Sequence, residues 1–329
     1  MTTFKGAMRT YGAAVRRIER EQQRQARESA KRFKEQQKQQ DIQNAQQAVF
    51  DWEEYIETLQ SVHKNCTEPV DWDQIKNTKK PLEPAPEFKN ETFAKKNLDN
   101  YKPSFFDKLF GLTQKRIGKL ENLLEQAKVK DKNDNHSKQI EYLDELQNWE
   151  ELHEISIGIE KKNAESYKNA LQYFNPFSDI KELGTQISIN FESNFIDIDL
   201  HVNSLDVIPD YELKLTATSK LSKKNMPKTR FNELYQDHIC SSALRVSREV
   251  FAYLPVEHVR INAMTKIVNG RTGYLEEQPI LSAIFTSKTI ESLNLEAIDP
   301  SDSMLNFVHN MEFNKTKGFS PVERAELKK

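Results

Sequence analysis

Residues 229–254 read TRFNELYQDHICSSALRVSREVFAYL, a stretch in which apolar side chains return every three or four positions. This spacing predicts a helix with one apolar face. The helix begins near Thr229, just after Pro227, and it ends before Pro255, because proline lacks an amide hydrogen and disfavours helix in the residue before it. We therefore predict the central helix of a C-terminal α/β domain. Its apolar positions are Phe231, Leu234, Tyr235, Ala243, Val250, Phe251 and Leu254, and its less apolar side carries Arg245, Arg248 and Glu249.

The segments around this helix alternate between apolar and polar residues, which is typical of strands. Asn269-Gly270 and Gly273 predict a turn between the last two strands. The predicted strands cover residues 186–191, 195–202, 211–215, 258–268 and 279–286. The sequence thus predicts an α+β protein. Long N-terminal helices, coiled-coil-like and αα-hairpin, precede an α/β domain at 184–313 with a small mixed sheet around one long helix, and a polar tail follows at 314–329.

The region before this domain is predicted to be helical, with a break. Three prolines mark residues 67–90 as a linker, and residues 91–183 are predicted to form a helical hairpin. The polar run 131–135 is expected to be its loop. The apolar positions expected on its buried face are Phe106, Leu109, Phe110, Ile117, Leu120, Leu124 and Ala127 before the loop, and Ile140, Leu143, Leu146 and Trp149 after it.

Residues 1–66 are predicted to form a basic, glutamine-rich helix followed by a short heptad segment. From Ile42 to Leu59, apolar residues follow the three-four rhythm of a coiled-coil seam. This seam can join two copies of the chain or pack against later helices of the same chain. The second alternative is favoured because Trp52 is bulky for a two-stranded seam.

Charge is unevenly distributed along the chain. The net charge is −2, yet residues 1–40 hold eleven Lys or Arg and four Asp or Glu, a local excess of seven positive charges. Such an arm can be a solvated, fraying helix, or it can bind an anionic partner, which can be nucleic acid, a membrane surface or an acidic protein. The membrane is disfavoured because the arm lacks a large apolar face. The candidate nucleic-acid contacts are Arg16, Arg17 and Arg24 in the arm, and Lys223, Lys224, Lys228 and Arg230 in a basic cluster that runs from Lys220 to the start of the central helix. The other interpretation of this cluster is a solvated loop.

Composition excludes several classes of protein. Cys66 and Cys240 are the only cysteines, which argues against a disulfide framework and favours the cytoplasm. The chain shows neither a signal-peptide pattern nor an apolar run long enough to span a membrane. Walker, dinucleotide-binding, nucleophile-elbow and zinc motifs are absent from the sequence, so no cofactor is predicted.

One constellation points to chemistry. The predicted order helix, strand, strand, strand, helix, strand over residues 163–268 resembles the core of the PD-(D/E)xK nuclease superfamily. The resemblance implies that Asp199, Glu212 and Lys214 are catalytic, and that Asp197, Asp199 and Glu212 hold Mg²⁺, a cation that prefers oxygen ligands. Pro209-Asp210 departs from the family pattern, since it stands beside Glu212 rather than on the preceding strand. In the other interpretation these acids line the solvent face of an antiparallel sheet.

Two functions therefore remain open. The first is a cytoplasmic interaction protein whose basic arm and α/β domain bind a protein or nucleic-acid partner. The second is a magnesium-dependent nuclease, a function that would suit bacterial genome defence. The sequence leaves open whether the chain is an enzyme.

Overall fold

The computed structural model describes residues 4–178, 186–191, 195–202 and 207–327, with side chains in the first helix described at positions 24, 25 and from 27 onward. The chain is α+β, as predicted, and divides into two compact units. One unit joins residues 1–68 to residues 175–329, and the other covers residues 69–174. The predicted N-terminal and C-terminal segments thus belong to one compact unit.

The larger unit contains the sheet. Its helices are α1 (Phe4–Ser61), α7 (Lys228–Tyr253), α8 (Ser287–Glu291) and α9 (Pro300–Ser303). Its strands are β1 (Gln186–Phe191), β2 (Ile196–His201), β3 (Tyr211–Leu215), β4 (Leu221–Asn225), β5 (His258–Val268), β6 (Leu275–Thr286), β7 (Val308–Asn314) and β8 (Gly318–Ser320). Six of these strands form one mixed sheet in the order β1-β2-β5-β6-β7-β8, while β3 pairs with β4 in a separate two-stranded sheet.

Alternation along the strands decides which face of the sheet is buried. Strands β2 and β5 are parallel, and the chain between them passes through the β3–β4 hairpin and α7. Ile198 pairs with Ile261, and Ile261 pairs with Ala283 on β6, so these fully buried residues form one row across three strands. Because neighbouring residues on a strand point to opposite faces, the aspartates of β2 lie on the other face.

Helix α7 is buried on nearly all sides, because β5 and β6 contact it and the end of α1 packs against it as well. Arg245 and Glu249 were predicted to extend from the less apolar side of this helix, and this prediction was wrong because that side is buried too. Both are buried and form an ion pair at 2.8 Å. Arg248 instead donates to the backbone carbonyl oxygens of His63 and Lys64, beyond the end of α1.

The heptad segment of α1 packs within the chain, the alternative that its tryptophan favoured. Ala45, Val49, Ile56 and Leu59 are buried. Polar contacts hold the segment that follows. His63 Nδ1 lies 2.8 Å from Ser241 Oγ on α7, and His238 Nδ1 lies 3.1 Å from the carbonyl oxygen of Leu59.

The C-terminal tail is not a loose polar segment. Its first part forms β8, and residues beyond it lie over the outer face of the sheet, where Ala325 is buried. The Ala325 amide donates to Ser282 Oγ at 2.8 Å, and the Val322 amide donates to the Pro279 carbonyl oxygen at 2.9 Å. The polar composition of the tail matches the polar row that it covers, in which Asp199, Asn262, Ser282 and Asn310 stand in register across four strands.

Arg324 anchors this tail, and we expect Arg324→Ala to lower the free energy of unfolding by about 2–3 kcal/mol, because two carboxylates lose a charged donor. Hydrogen bonds from Arg260 and Asn262 and nearby positive charge outweigh burial and hold the pKa of Asp197 below its usual value. A carboxyl with a depressed pKa stabilises the fold above its unfolded-state pKa, and this contribution is lost as the pH falls through the folded pKa. Urea unfolding at neutral pH and near pH 3 should therefore show a smaller difference between variant and parent at the lower pH. An unchanged stability at neutral pH would contradict the anchoring role.

The second unit is built on one long helix. Its helices are α2 (Trp72–Lys76), α3 (Lys89–Asp99), α4 (Phe105–Leu109), α5 (Thr113–Glu160) and α6 (Ala164–Phe174). Helices α2, α3 and α6 each pack against α5.

The predicted hairpin loop at 131–135 was wrong, since these residues lie inside α5. Their polar side chains serve another helix. Asp131 is buried, and its carboxylate accepts from the backbone amides of Asn90 and Glu91 at 3.2 and 2.7 Å, in the first turn of α3. Asn135 exchanges two hydrogen bonds with the backbone of Glu87. The proline-rich segment is thus held against α5 instead of acting as a free linker.

The predicted buried face is wrong at its start and again at Ile140 and Leu143, which are 55% and 53% exposed. Gly111 has a φ of 63°, a left-handed conformation that ends α4 and separates it from α5. The helical phase is therefore interrupted between Phe110 and Ile117, and Phe106, Leu109 and Phe110 are exposed. Within the described residues, no helix is long and apolar enough to cross a membrane.

Candidate nucleic-acid interface

The described side chains in the N-terminal arm of α1 are not buried. Every described side chain from Arg24 to Asp41 is exposed, whereas Ala45 and Val49 are buried. At 1.5 Å per residue, the helix before Ile42 is roughly 57 Å long. In the part of the arm whose side chains are described, the charges are presented to solvent.

Five of the six described cations between Arg24 and Lys38 fall on one side of the helix, and Arg32 lies off this side. Arg24, Arg27, Lys31, Lys34 and Lys38 follow each other at spacings of three, four, three and four residues. Since three- and four-residue steps return to the same face of a helix, these five residues form a cationic stripe. In the sequence the spacing continues back through Arg20 and Arg16, whose backbone lies in α1.

The cationic stripe continues the phase of the buried seam. Three- and four-residue steps lead from Lys38 through Ile42 to Ala45 and Val49, so the same side of α1 is cationic before Ile42 and apolar after it. A lysine or arginine at nearly every seam position disfavours pairing of this part with another helix. The stripe therefore suits an anionic partner at the point where α1 leaves the protein body.

The β3–β4 hairpin meets the end of this stripe. Its tip and α1 share a cavity of about 370 Å³, lined by Lys38, Asp41, Ile42, Asn44, Ala45, Thr218, Ser219, Lys220 and Leu221. Residues Leu215 and Leu221 pair across the hairpin, and Leu221 and Ile42 face the same cavity. Lys214 and Lys224 occupy positions on the opposite face of the hairpin, because neighbouring strand residues alternate. The structure thus brings the two predicted basic segments together at Lys38 and Lys220.

The predicted contact residues occupy different positions around this junction. Arg24 begins the described stripe and pairs with Glu28 at 3.1 Å. Lys223 and Lys224 lie on β4, not on a loop, and the ammonium group of Lys223 lies 3.6 Å from the centre of the Tyr211 ring. Lys228 and Arg230 are exposed in the first turn of α7, while the side chains of Arg16 and Arg17 lie outside the described residues.

The two aspartates predicted to hold Mg²⁺ are bound by protein cations. Asp197 accepts from Arg260 Nε at 2.7 Å and from Arg324 Nη1 at 2.5 Å. Asp199 accepts from Arg324 Nη2 at 2.8 Å, and Asn262 Nδ2 donates to both carboxylates, at 2.9 and 2.8 Å. This arrangement differs from the expected solvent face, since Asp197 is buried beneath the C-terminal tail.

Glu212 and Lys214 do not complete a metal site with these aspartates. They share one face of β3, as their spacing predicts, and Lys214 Nζ donates to Glu212 at 2.8 Å. However, β3 belongs to the two-stranded sheet, whereas Asp197 and Asp199 lie on β2 of the six-stranded sheet. Among the described residues, no group of three His, Cys, Asp or Glu side chains is placed to hold a metal ion.

The larger unit also contains a polar cavity that sequence reasoning missed. It has a volume of about 540 Å³ and lies between α1, α7 and the start of α9, with Trp52, Arg230, Asp237 and Asp299 among its lining residues. Burial raises the pKa of Asp237, and Asp299 acts in the same direction, against the hydrogen bond that Gln60 donates at 2.7 Å. A carboxyl of this kind can bind or exchange a proton with a small polar molecule. In the sequence, Asp237 is one polar residue within a predicted helix, so the sequence gave no indication of this cavity.

Comparisons with protein-family models, curated proteins and solved structures gave no match for this chain.

Proposed function

We propose that the chain is a nucleic-acid-binding protein that contacts phosphates through the cationic stripe of α1 and the adjoining β3–β4 hairpin. The observation that carries this proposal is the regular, one-sided spacing of five exposed cations on α1, the last of which, Lys38, lines the same cavity as Lys220. Phosphate groups are repeated anions, and a row of lysine and arginine can neutralise several of them at once.

The composition of the arm separates nucleic acid from the other anionic partners. Phe33 is the only large apolar side chain between Arg24 and Asp41, so this part of the arm lacks the apolar face that a membrane-surface helix needs. A bare helix of this diameter fits the major groove of B-form DNA, whereas the major groove of RNA is too narrow. Duplex DNA is therefore the preferred ligand, and the cytoplasm, where unpaired cysteines stay reduced, is the location that suits it.

No observation of the described residues favours the nuclease alternative. Its carboxylates are engaged by Arg260 and Arg324, and its glutamate and lysine lie in another sheet. Binding without cleavage is the function that the cationic stripe supports.

Binding of a DNA duplex should weaken steeply with salt. If five to seven phosphates are neutralised, the logarithm of the association constant should fall with the logarithm of salt concentration with a slope of about −4 to −6. Fluorescence anisotropy of a labelled duplex, measured from low to physiological ionic strength, gives this slope directly. Single-stranded DNA and duplex RNA serve as comparison ligands. A slope near zero, or the absence of binding at low salt, would contradict the proposal.

A further inference from the structure

The second unit carries an exposed apolar tip between α3 and α5, built from residues that are not part of the cationic stripe. Phe105, Phe106, Leu109 and Phe110 are between 62% and 74% exposed, and all lie within or just after the single turn of α4. Folded proteins rarely leave several large apolar side chains together in water without a partner. The tip therefore requires an apolar environment in at least one functional state.

Within residues 100–120 every exposed charge is positive. Asp107 is the one acidic residue between positions 100 and 120, and it is buried. Its carboxylate accepts from the Ser104 amide at 3.0 Å and from Tyr101 Oη at 3.2 Å, and it pairs with Arg116 at 2.8 Å. Its negative charge is thus neutralised inside the turn.

Exposed cations flank the apolar side chains in the sequence. They are Lys102, Lys108, Lys115 and Lys119, all of them exposed and none in a described ion pair. A second copy of the tip would bring like charges together, which opposes self-association. A partner that is negatively charged at its surface and apolar just below it satisfies both features at once.

We propose that this tip, defined as residues 102–119, docks onto the surface of a bilayer that contains anionic lipid. The phenylalanine and leucine side chains enter the boundary between headgroups and acyl chains, while the lysines remain at the level of the headgroups. The capping box of α4, in which Ser104 and Asp107 exchange hydrogen bonds, fixes the turn that presents them. In this docking the tip reaches only the boundary between headgroups and acyl chains and does not cross the bilayer.

A tryptophan placed in the tip reports insertion. Phe106→Trp in the full chain is mixed with vesicles of phosphatidylcholine and phosphatidylglycerol that contain brominated acyl chains, and its quenching is compared with that of the parent. We expect these vesicles to quench the fluorescence of the added tryptophan. The quenching should be about tenfold weaker on vesicles of brominated phosphatidylcholine alone. Quenching equal to that of the parent's own Trp52, Trp72 and Trp149 would overturn the proposal.

Because the cationic stripe also attracts anionic vesicles, the experiment is repeated in a background in which Arg27, Lys31 and Lys34 are replaced by glutamate. The quenching of the introduced tryptophan should persist there at vesicle concentrations that saturate binding, and its loss would assign membrane attraction to the arm alone. This separates the inference from the proposed function, which concerns only DNA.

A serine variant tests the apolar contribution. Phe105→Ser combined with Leu109→Ser and Phe110→Ser should reduce vesicle sedimentation at least about tenfold. Its matched control carries Tyr274→Ser, Leu275→Ser and Leu305→Ser, which remove exposed apolar side chains elsewhere. Equal sedimentation of the two variants would overturn the proposal, as would a preference of the tip for an acidic peptide over vesicles in competition.

Discussion

Replacing Glu249 by alanine should lower the free energy of unfolding of the larger unit by about 3–5 kcal/mol. Glu249 is completely buried, accepts from the Thr67 amide at 3.1 Å and neutralises Arg245. Its removal leaves the Arg245 guanidinium as an uncompensated charge inside the protein and frees the amide that ties the chain after α1 to α7. Fluorescence of Trp52 during urea unfolding measures the effect, in a parent that carries Trp72→Phe and Trp149→Phe.

A double variant separates the cost of an unpaired charge from the value of the pair. Arg245→Met combined with Glu249→Leu removes both charges and keeps similar volumes, so it should regain most of the lost stability. Cys66 gives a second readout. Burial and the negative charge of Glu249 together raise its pKa to about 11. In Glu249→Ala the thiol should therefore react faster with a thiol reagent at alkaline pH. A loss of stability below about 1 kcal/mol would contradict the stabilising role of this buried pair.

Five of the eight described strands were predictable, because their apolar residues alternate and the turn residues between β5 and β6 are unambiguous, whereas β4, β7 and β8 were not predicted. The heptad segment was also predictable, since three- and four-residue steps persist over several turns of α1. What local pattern could not give was the partner of each polar residue. Asp131 looked like part of a loop because it stands in a polar run, but it binds the first turn of α3, which is 40 residues away in the chain.

The same limit applied to the candidate sites. The spacing of Asp197 and Asp199 correctly placed both on one face of β2, yet the cation beside them is Arg324, which is supplied by a tail more than a hundred residues away. The basic segments were found from charge alone. Their junction at Lys38 and Lys220 depends on β4. The lysine and serine residues of this strand are more typical of a loop, so the strand was not predicted.

Reversing the charge of the cationic stripe should abolish DNA binding under physiological salt. Replacing Arg27, Lys31 and Lys34 by glutamate changes the net charge by two at each of three positions, or six unit charges in total. The interaction of one unit charge with a phosphate in water contributes roughly 0.5–1 kcal/mol. The expected loss of affinity is therefore at least about a hundredfold. The fold should be unaffected, because these side chains are exposed and make no contact with the body of the protein.

A control of equal net charge distinguishes the stripe from a general attraction. Lys132→Glu, Lys161→Glu and Lys288→Glu change the same number of charges at exposed sites elsewhere in the chain. Because these lysines lie outside the stripe, we expect the control to retain DNA affinity within about threefold at physiological salt, where distant charges are screened.

The most direct measurement is the dissociation constant of a DNA duplex for the parent, the stripe variant and this control at one physiological salt concentration. We expect that only the stripe variant loses binding. Equal losses in the two variants, or full binding by the stripe variant, would contradict the claim that the ordered cations of α1 form the contact surface.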